Sequence, residues 1–227
     1  MSRAKATSKT AGKAARGAAP AGSDRKRAAE AKRASKRRSL LRRRWVFYPL
    51  VTLFVLAALP LLLTLVYRME VVRPVSTLML SRMITLQPVD RQWVEIDDVT
   101  PRLYQSVMMS EDGQFCAHHG VDLRELQAVV GDALEGERVR GASTITQQTA
   151  KNVYLWQGRS WARKLLETVY TPMIEAVWSK RRILEAYLNV AEFGPGIFGI
   201  DAAARELFGT TPDKLTARQA AALAAVL

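Results

Sequence analysis

The chain has 227 residues and a formal net charge of +13, and its one cysteine excludes a framework of internal disulfides. With one cysteine and two adjacent histidines, it also lacks the usual ligand set of a structural zinc site. The positive charge belongs to residues 1–44, which hold 16 of the 34 basic and two of the 21 acidic residues and leave 18 basic and 19 acidic residues elsewhere.

Residues 1–44 are predicted to form a disordered basic arm, because they are rich in Ala, Ser, Gly and Lys and contain no aromatic residue. Such an arm can bind nucleic acid. The adjacent apolar run favours the other interpretation, an arm that sets membrane topology and touches anionic lipid. We therefore expect no nucleic-acid partner, and the positive-inside rule places the arm in the cytoplasm.

Residues 45–67 form an uncharged run of 23 residues, predicted to be a single transmembrane helix. At about 1.5 Å per residue it would reach roughly 35 Å, enough to cross a hydrocarbon core of about 30 Å. Aromatic residues at both ends suit the two membrane interfaces, and Pro49 and Pro60 are tolerated in lipid. A cleaved signal peptide is the alternative, but its apolar region would be shorter and a small-residue cleavage site would follow.

Residues 68–227 are numerous enough for one exported domain with its own core. Residues 75–86 are apolar on most faces, so they could either pack internally or rest in the membrane interface and receive an acyl chain. Helix-start signals then recur along a mainly helical domain, and only residues 93–96 suggest a strand. The predicted N-cap residues are Thr100, Asp122, Ser143 or Thr144, Ser179 and Thr216.

Pro172 interrupts a long helical pattern. A proline inside a helix removes one backbone hydrogen bond and clashes with the preceding turn. We therefore expect residues 161–170 and 173–178 to form separate or kinked segments.

Three polar segments are not explained by a core or by a solvated face. The first, residues 111–122, places carboxylates at the end of a helix, where they oppose the helix dipole. The second, residues 141–152, has six hydroxyl or amide side chains within eight positions, suited to a sugar or phosphate ligand. The third, residues 159–167, sets Arg163 and Lys164 on one helix face with Glu167, which alone would suggest an ordinary surface ion pair.

In order, the segments read EDxxFxxHxGxD, GxSTITQQxxKN, RKxxE and, at residues 183–189, ILEAYLN. This order resembles the peptidoglycan glycosyltransferase family, whose lysozyme-like enzymes polymerise lipid II, and the resemblance covers about residues 75–227. The size and the single anchor resemble the monofunctional biosynthetic transglycosylases of that family. The chain stops in a helix that the family normally follows with a proline-containing tail, so a truncated C-terminus is also an expectation.

The resemblance implies an inverting transfer in which an acceptor lipid II hydroxyl attacks the donor sugar of the nascent glycan strand and undecaprenyl pyrophosphate leaves. It implies Glu111 as general base and Glu167 as the second essential carboxylate. Substrate-binding residues implied by the same match are Asp112, Ser143, Thr144, Gln147, Gln148, Lys151, Asn152, Arg159, Arg163 and Lys164. His118 is expected to form hydrogen bonds, and Phe115, Gly120 and Tyr187 to shape the cleft.

The resemblance also implies the bacterial inner membrane, with the domain in the periplasm, and other cell-wall synthases as partners. A Mg²⁺ or Mn²⁺ ion is allowed but not demanded, because the cations could stabilise the leaving group themselves, and no metal ligands are predicted. Two alternatives are a lytic enzyme, in which the cations would be idle, and an inactive scaffold, which would need neither carboxylate.

Overall fold

The computed structural model describes residues 21–135, 141 and 143–227. Its helices are α1 (Ala21–Tyr67), α2 (Thr77–Ile84), α3 (Pro101–Glu111), α4 (Leu123–Leu134), α5 (Ile145–Tyr154), α6 (Trp161–Val177), α7 (Lys180–Val190), α8 (Gly199–Phe208) and α9 (Ala217–Ala224). Short 3₁₀ turns cover Ile96–Asp98 and Pro212–Lys214. The prediction of a mainly helical protein is confirmed.

Within α1, the stretch Arg44–Tyr67 is long and apolar enough to cross a membrane, with a mean hydropathy of 2.5. The predicted span is therefore helical, and its length and composition are consistent with a membrane anchor. The helix begins at Ala21 and so includes part of the arm predicted to be disordered. Alanine, lysine and arginine are good helix formers, which accounts for the difference. Residues 1–20 of the predicted arm lie outside the described residues.

The domain is built around α7, which is buried from Arg182 to Val190. Helices α5, α6 and α8 contact α7, and α3 packs against α9. Most of the predicted caps are present: Asp122 accepts backbone N–H groups at the start of α4, Ser179 caps α7, and Thr144 and Thr216 form capping boxes with Gln147 and Gln219. Thr100 stands at the N-cap position of α3, but its side chain makes no capping hydrogen bond. Because a cap depends on only a few consecutive residues, these helix starts are readable from the sequence.

Pro172 does not divide α6, so the alternative of two separate segments is wrong, and the alternative of a kinked helix stays a prediction. The proline leaves the carbonyl of Thr168 without a helical N–H donor, but Thr168 is exposed and its carbonyl can bind water. On the opposite face, Tyr170, Thr171 and Ile174 are buried. Packing of that face keeps the helix continuous.

The strand expected at residues 93–96 is also wrong. The backbone N–H and C=O of Val94 both pair with the side-chain amide of Asn189, each at 2.8 Å, so a side chain takes the place of a partner strand. The sheet of the described residues is an antiparallel hairpin of β1 (Glu192–Gly194) and β2 (Ile197–Phe198), with Glu192 opposite Phe198 and Gly194 opposite Ile197.

Helix α2 exposes much of its apolar surface. Met79 is buried, whereas Leu80, Met83, Ile84 and the following Leu86 are exposed, Leu86 at 94%. Internal packing therefore accounts for only one face of this segment. The other face is available to the membrane interface.

Candidate active site

Glu111 is the last residue of α3, and its carboxylate is oriented by an amide. Its Oε2 accepts a 2.7 Å hydrogen bond from Nε2 of Gln148 on α5. Oε1 of Gln148 in turn accepts the hydroxyl of Tyr187 on α7 at 3.2 Å. Burial, and then the negative charge of Glu111, raises the pKa of Tyr187, so this hydroxyl stays protonated as a donor. These two hydrogen bonds fix the Glu111 carboxylate, and no cationic side chain among the described residues forms an ion pair with it.

Asp112 fixes the loop that follows α3. One of its carboxylate oxygens accepts the backbone N–H of Ile145 at 3.0 Å, and the other lies 2.8 Å from Nε2 of His118. Because Nδ1 of His118 accepts the N–H of Gly120, its proton is on Nε2 and is donated to Asp112. His118 forms the hydrogen bonds predicted for it. Asp112 is 7% exposed and supports the loop, and its role as a substrate ligand stays a prediction.

Gly120 closes the same loop with φ of +94°, a conformation that favours glycine. A Cβ at this position would lie 2.6 Å from Cγ2 of Thr171. The Gly120 carbonyl accepts the hydroxyl of Thr144 at 2.5 Å. The loop after α3 and the start of α5 are therefore joined.

Thr144 and Gln147 form the capping box of α5, and both are buried. The Thr144 oxygen accepts the N–H of Gln147, and Oε1 of Gln147 accepts the N–H of Thr144. The atoms that form the capping box are thus engaged within the protein. The role of these two residues as substrate ligands stays a prediction.

Glu167 lies on α6 between two cations and is only 3% exposed. Its Oε1 pairs with Arg163, one helical turn earlier, and its Oε2 accepts the Lys164 ammonium at 3.0 Å. Lys164 also donates to Oγ of Ser143 at 2.9 Å, and Nε of Arg163 donates to the Gly158 carbonyl at 2.6 Å. This buried cluster is therefore more than a solvated surface pair.

Lys151 brings a further cation to the cleft from α5. Burial, and then the neighbouring charge of Arg163, lowers the pKa of Lys151, while the charge of Glu111 opposes that change. Burial and the charges of Arg163 and Lys151 likewise lower the pKa of Lys164. Among the described residues, no carboxylate lies within ion-pair distance of Lys151. Close cations of this kind favour a bound anion.

Two cavities meet at Glu111 and differ in charge. The acidic cavity, about 580 Å³, is lined mainly by polar and acidic groups that include Glu111, Asp112, Asp122 and Glu125. The cationic cavity, about 370 Å³, is lined by Glu111, Ser143, Gln148, Lys151, Arg159, Arg163, Lys164 and Glu167. A third cavity of about 190 Å³ adjoins the cationic one through Gln148 and Lys151 and includes Asn152. The structure thus brings most of the predicted site residues to one cleft.

Sequence reasoning missed a partly buried ion pair between Glu175 and Lys180. Oε1 of Glu175 accepts the Thr146 hydroxyl at 2.5 Å and the Lys180 ammonium at 2.8 Å. The same ammonium lies 4.5 Å from the ring centre of Phe115, a cation–π contact. The pair joins α5, α6 and α7 to the loop after α3. Glu175 and Lys180 are five residues apart, but the Thr146 and Phe115 side chains that they contact lie far away in sequence, so no local pattern indicates the cluster.

The surroundings of Glu167 do not fit a divalent cation. Both of its oxygens already contact a cationic side chain, and Lys151 adds a third positive charge. Mg²⁺ and Mn²⁺ favour carboxylate, carbonyl and water oxygens rather than a site surrounded by ammonium and guanidinium groups. Within the described ranges, no group of three or more His, Cys, Asp or Glu side chains is placed to hold a metal.

In the part of the chain that the structure describes, the fold is helical and includes one helix long and apolar enough to cross a membrane. The cleft brings Glu111 and Glu167 together with a cationic cavity suited to an anionic ligand. The sequence of residues 78–227 matches the transglycosylase family, and the chain belongs to that family.

Several relatives are similar over most of their length. A biosynthetic peptidoglycan transglycosylase of Agrobacterium fabrum (strain C58) is 57% identical over 178 residues, covering 78% of this chain and 79% of the relative. That of Rhizobium meliloti (strain 1021) is 55% identical over 186 residues, covering 82% and 77%. That of Mesorhizobium japonicum is 56% identical over 196 residues, covering 86% and 82%.

Proposed function

We propose that this chain is a peptidoglycan glycosyltransferase of cell-wall biosynthesis, which polymerises lipid II into β-1,4-linked glycan and releases undecaprenyl pyrophosphate. The observation that carries this proposal is the position of Glu111 at the boundary of two oppositely charged cavities. Membership of the transglycosylase family supports it independently.

The charges of the cavities assign the two substrates. The pyrophosphate of the donor belongs in the cationic cavity, because the acidic cavity would repel it. The acceptor sugar, which presents an uncharged hydroxyl, belongs in the acidic cavity. Glu111 then stands beside the acceptor hydroxyl and faces the donor carbon across the shared boundary.

The reaction follows from this arrangement. Glu111 takes the proton of the acceptor C4 hydroxyl as its oxygen bonds to the donor anomeric carbon. The bond from that carbon to the pyrophosphate oxygen breaks, and the leaving group keeps the electron pair. Lys151, Arg159, Arg163 and Lys164 stabilise the negative charge that develops there. Attack opposite the leaving group converts an α-linked donor into a β-linked product.

Glu167 acts by holding the cations in place. Its contacts with Arg163 and Lys164 fix both side chains before the substrate binds, so no reorganisation is needed during the reaction. We assign no step to a Mg²⁺ or Mn²⁺ ion. Ser143 and Asn152 remain the candidates for contacts with the sugars or the phosphates, whereas Gln148 is assigned to the orientation of Glu111.

We further propose that the chain is a single-pass protein of the bacterial inner membrane. The 16 basic residues up to and including Arg44 support an N-terminus in the cytoplasm and a domain in the periplasm, by the positive-inside rule. The exposed apolar residues of α2 would then rest at the outer leaflet, where both polyprenyl substrates reside. Other cell-wall synthases remain a proposed class of partner.

Purified full-length protein incubated with labelled lipid II in detergent tests this function. The expected product is a ladder of glycan strands that lysozyme digests. Intact peptidoglycan supplied instead should release no soluble fragments, whereas release would indicate the lytic alternative. Neither polymer nor fragments would favour the scaffold and overturn the proposal.

A further inference from the structure

The last part of the membrane helix belongs structurally to the domain. Residues 55–67 fall in the same compact unit as the rest of the chain up to Leu227. Thr64 is only 1% exposed, although just 11% of the most apolar window of the span is buried. Protein rather than lipid therefore surrounds Thr64.

Two aromatic side chains hold Thr64. Its hydroxyl donates to the Pro60 carbonyl at 2.7 Å, so the 2.9 Å contact with the Tyr154 hydroxyl has Tyr154 as donor. Burial raises the pKa of Tyr154, which keeps that proton in place. The indole Nε1 of Trp178 donates to the Thr64 carbonyl at 2.7 Å.

Arg182 caps the end of the same helix. Its guanidinium, 4% exposed, donates to the carbonyls of Tyr67 at 3.1 Å, Met69 at 3.3 Å and Val72 at 2.6 Å. The positive charge of Arg182 is balanced by Glu185, whose Oε1 lies 2.5 Å from Nη1. The final carbonyls of a helix have no helical N–H partner. A cation at this end also interacts favourably with the negative end of the helix dipole.

The contacting residues come from the three helices that carry the cleft. Tyr154 is on α5 with Gln148 and Lys151, and Trp178 directly follows α6, which carries Arg163 and Glu167. Arg182 is on α7 with Tyr187. The rings of Tyr154 and Tyr170 also meet edge to face at 5.9 Å, which joins α5 to α6.

We propose that Thr64, Tyr154, Trp178 and Arg182 form an anchor seat that fixes the height and tilt of the cleft above the bilayer. The benefit of the seat rests on the proposed function, because both lipid-linked substrates are held at a set depth in that bilayer. These four are positioning residues, since none of them lines the cavities of the cleft.

Fluorescence resonance energy transfer between a dye on Cys116 and an acceptor on the lipid headgroups tests the anchor seat without any measurement of activity. Cys116 is the only cysteine and is exposed, so one dye can be attached there and an acceptor placed on lipid headgroups of vesicles holding the full-length protein. Trp178→Phe keeps an aromatic ring but removes the donor to Thr64, and Thr64→Val removes the hydroxyl at nearly constant volume. Trp161→Phe is the matched control, because Trp161 is 82% exposed.

The parent and the control should show one narrow distribution of distances between the Cys116 dye and the lipid headgroups. Both seat variants should show a broader or shifted distribution. Circular dichroism and thermal unfolding establish that the variants are folded. If folded Trp178→Phe and Thr64→Val match the parent distribution, the proposal is overturned.

A comparison of two media tests the consequence for the reaction. In vesicles the seat variants should lose about tenfold in kcat/KM, since a displacement of about 1 Å can cost up to about 100-fold. In detergent, where no bilayer fixes the depth of the substrate, the loss should stay within about twofold. Equal losses in both media would indicate a merely structural role. A parent inactive in both would contradict the proposed function, while the energy-transfer result would still decide the seat.

Discussion

The Glu111 carboxylate accepts a 2.7 Å hydrogen bond from the side-chain amide of Gln148. An amide orients a carboxylate without neutralising it, so Glu111 remains able to accept a proton. The Tyr187 hydroxyl fixes the amide from behind and determines which end of the amide faces Glu111. The cations instead surround the second carboxylate, Glu167. The two carboxylates are thereby given different tasks by their neighbours.

Gln148→Met should lower kcat and leave KM nearly unchanged. Methionine has a similar length but donates no hydrogen bond, so Glu111 would lose its orientation without a change in cavity volume. We expect kcat to fall about 10- to 100-fold and KM to change less than about twofold, as measured by initial rates of lipid II polymerisation. Gln127→Met, on the exposed surface of α4, is the control. A rise in KM at constant kcat would instead make Gln148 a substrate ligand.

Arg163→Ala should lower both turnover and stability. The variant leaves the buried Glu167 with only Lys164, whose side chain is 48% exposed, and removes a cation from the leaving-group cavity. We expect turnover to fall at least about 100-fold and the free energy of unfolding to fall by about 3 kcal/mol.

Arg181→Ala provides the comparison for that variant, because it breaks an exposed pair with Asp97 outside the cleft. It should change stability by less than about 1 kcal/mol. Rates are compared below the unfolding temperature of both variants. Unchanged turnover in Arg163→Ala would indicate that the contact between Arg163 and Glu167 is an ordinary ion pair with no part in the reaction.

The alkaline side of the pH–rate profile should report Lys151. Burial and the charge of Arg163 lower its pKa, so Lys151 loses its proton, and with it the attraction for pyrophosphate, at a lower pH than an exposed lysine. Lys151→Arg keeps the charge and should move the alkaline limb of kcat/KM to higher pH. Profiles of the parent and variant between about pH 6 and about pH 10 measure the shift. If the alkaline limbs of the parent and of Lys151→Arg coincide, a group other than Lys151 causes the loss of activity at high pH.

Asp112→Ala should destabilise the domain. It removes the acceptor for Ile145 N–H and for His118, and it leaves both donors buried without that partner. We expect the free energy of unfolding to fall by about 3 kcal/mol. His119→Ala, on the exposed side of the same loop, should change it by less than about 0.5 kcal/mol. Equal unfolding temperatures for Asp112→Ala and the parent would contradict a stabilising role for Asp112 and favour its predicted role as a substrate ligand.

The parts of the fold that depend on neighbouring residues could be predicted from the sequence. The membrane span and the caps at Thr144, Ser179 and Thr216 follow from short local patterns. The parts decided by packing could not. The buried face of α6 outweighs Pro172, and the Asn189 amide takes the place of a strand beside Val94.

The same division holds at the site. The motifs predicted a set of site residues, and most of them line one cleft. They could not show which of these side chains also make contacts within the protein, as Thr144 and Gln147 do in the capping box of α5. Nor could they reveal the contact between Glu111 and Gln148, because the two lie 37 positions apart and meet only in the folded chain.

The central claim, that Glu111 is the base of a glycosyl transfer assisted by the adjacent cationic cavity, is tested most directly by Glu111→Gln. Glutamine keeps the shape of the side chain and an acceptor for Gln148, and removes the negative charge and with it the ability to take a proton at neutral pH. Polymerisation of labelled lipid II by full-length protein should fall by about 100- to 10,000-fold, with the unfolding temperature unchanged. Polymer formed at the parent rate by Glu111→Gln would contradict the account.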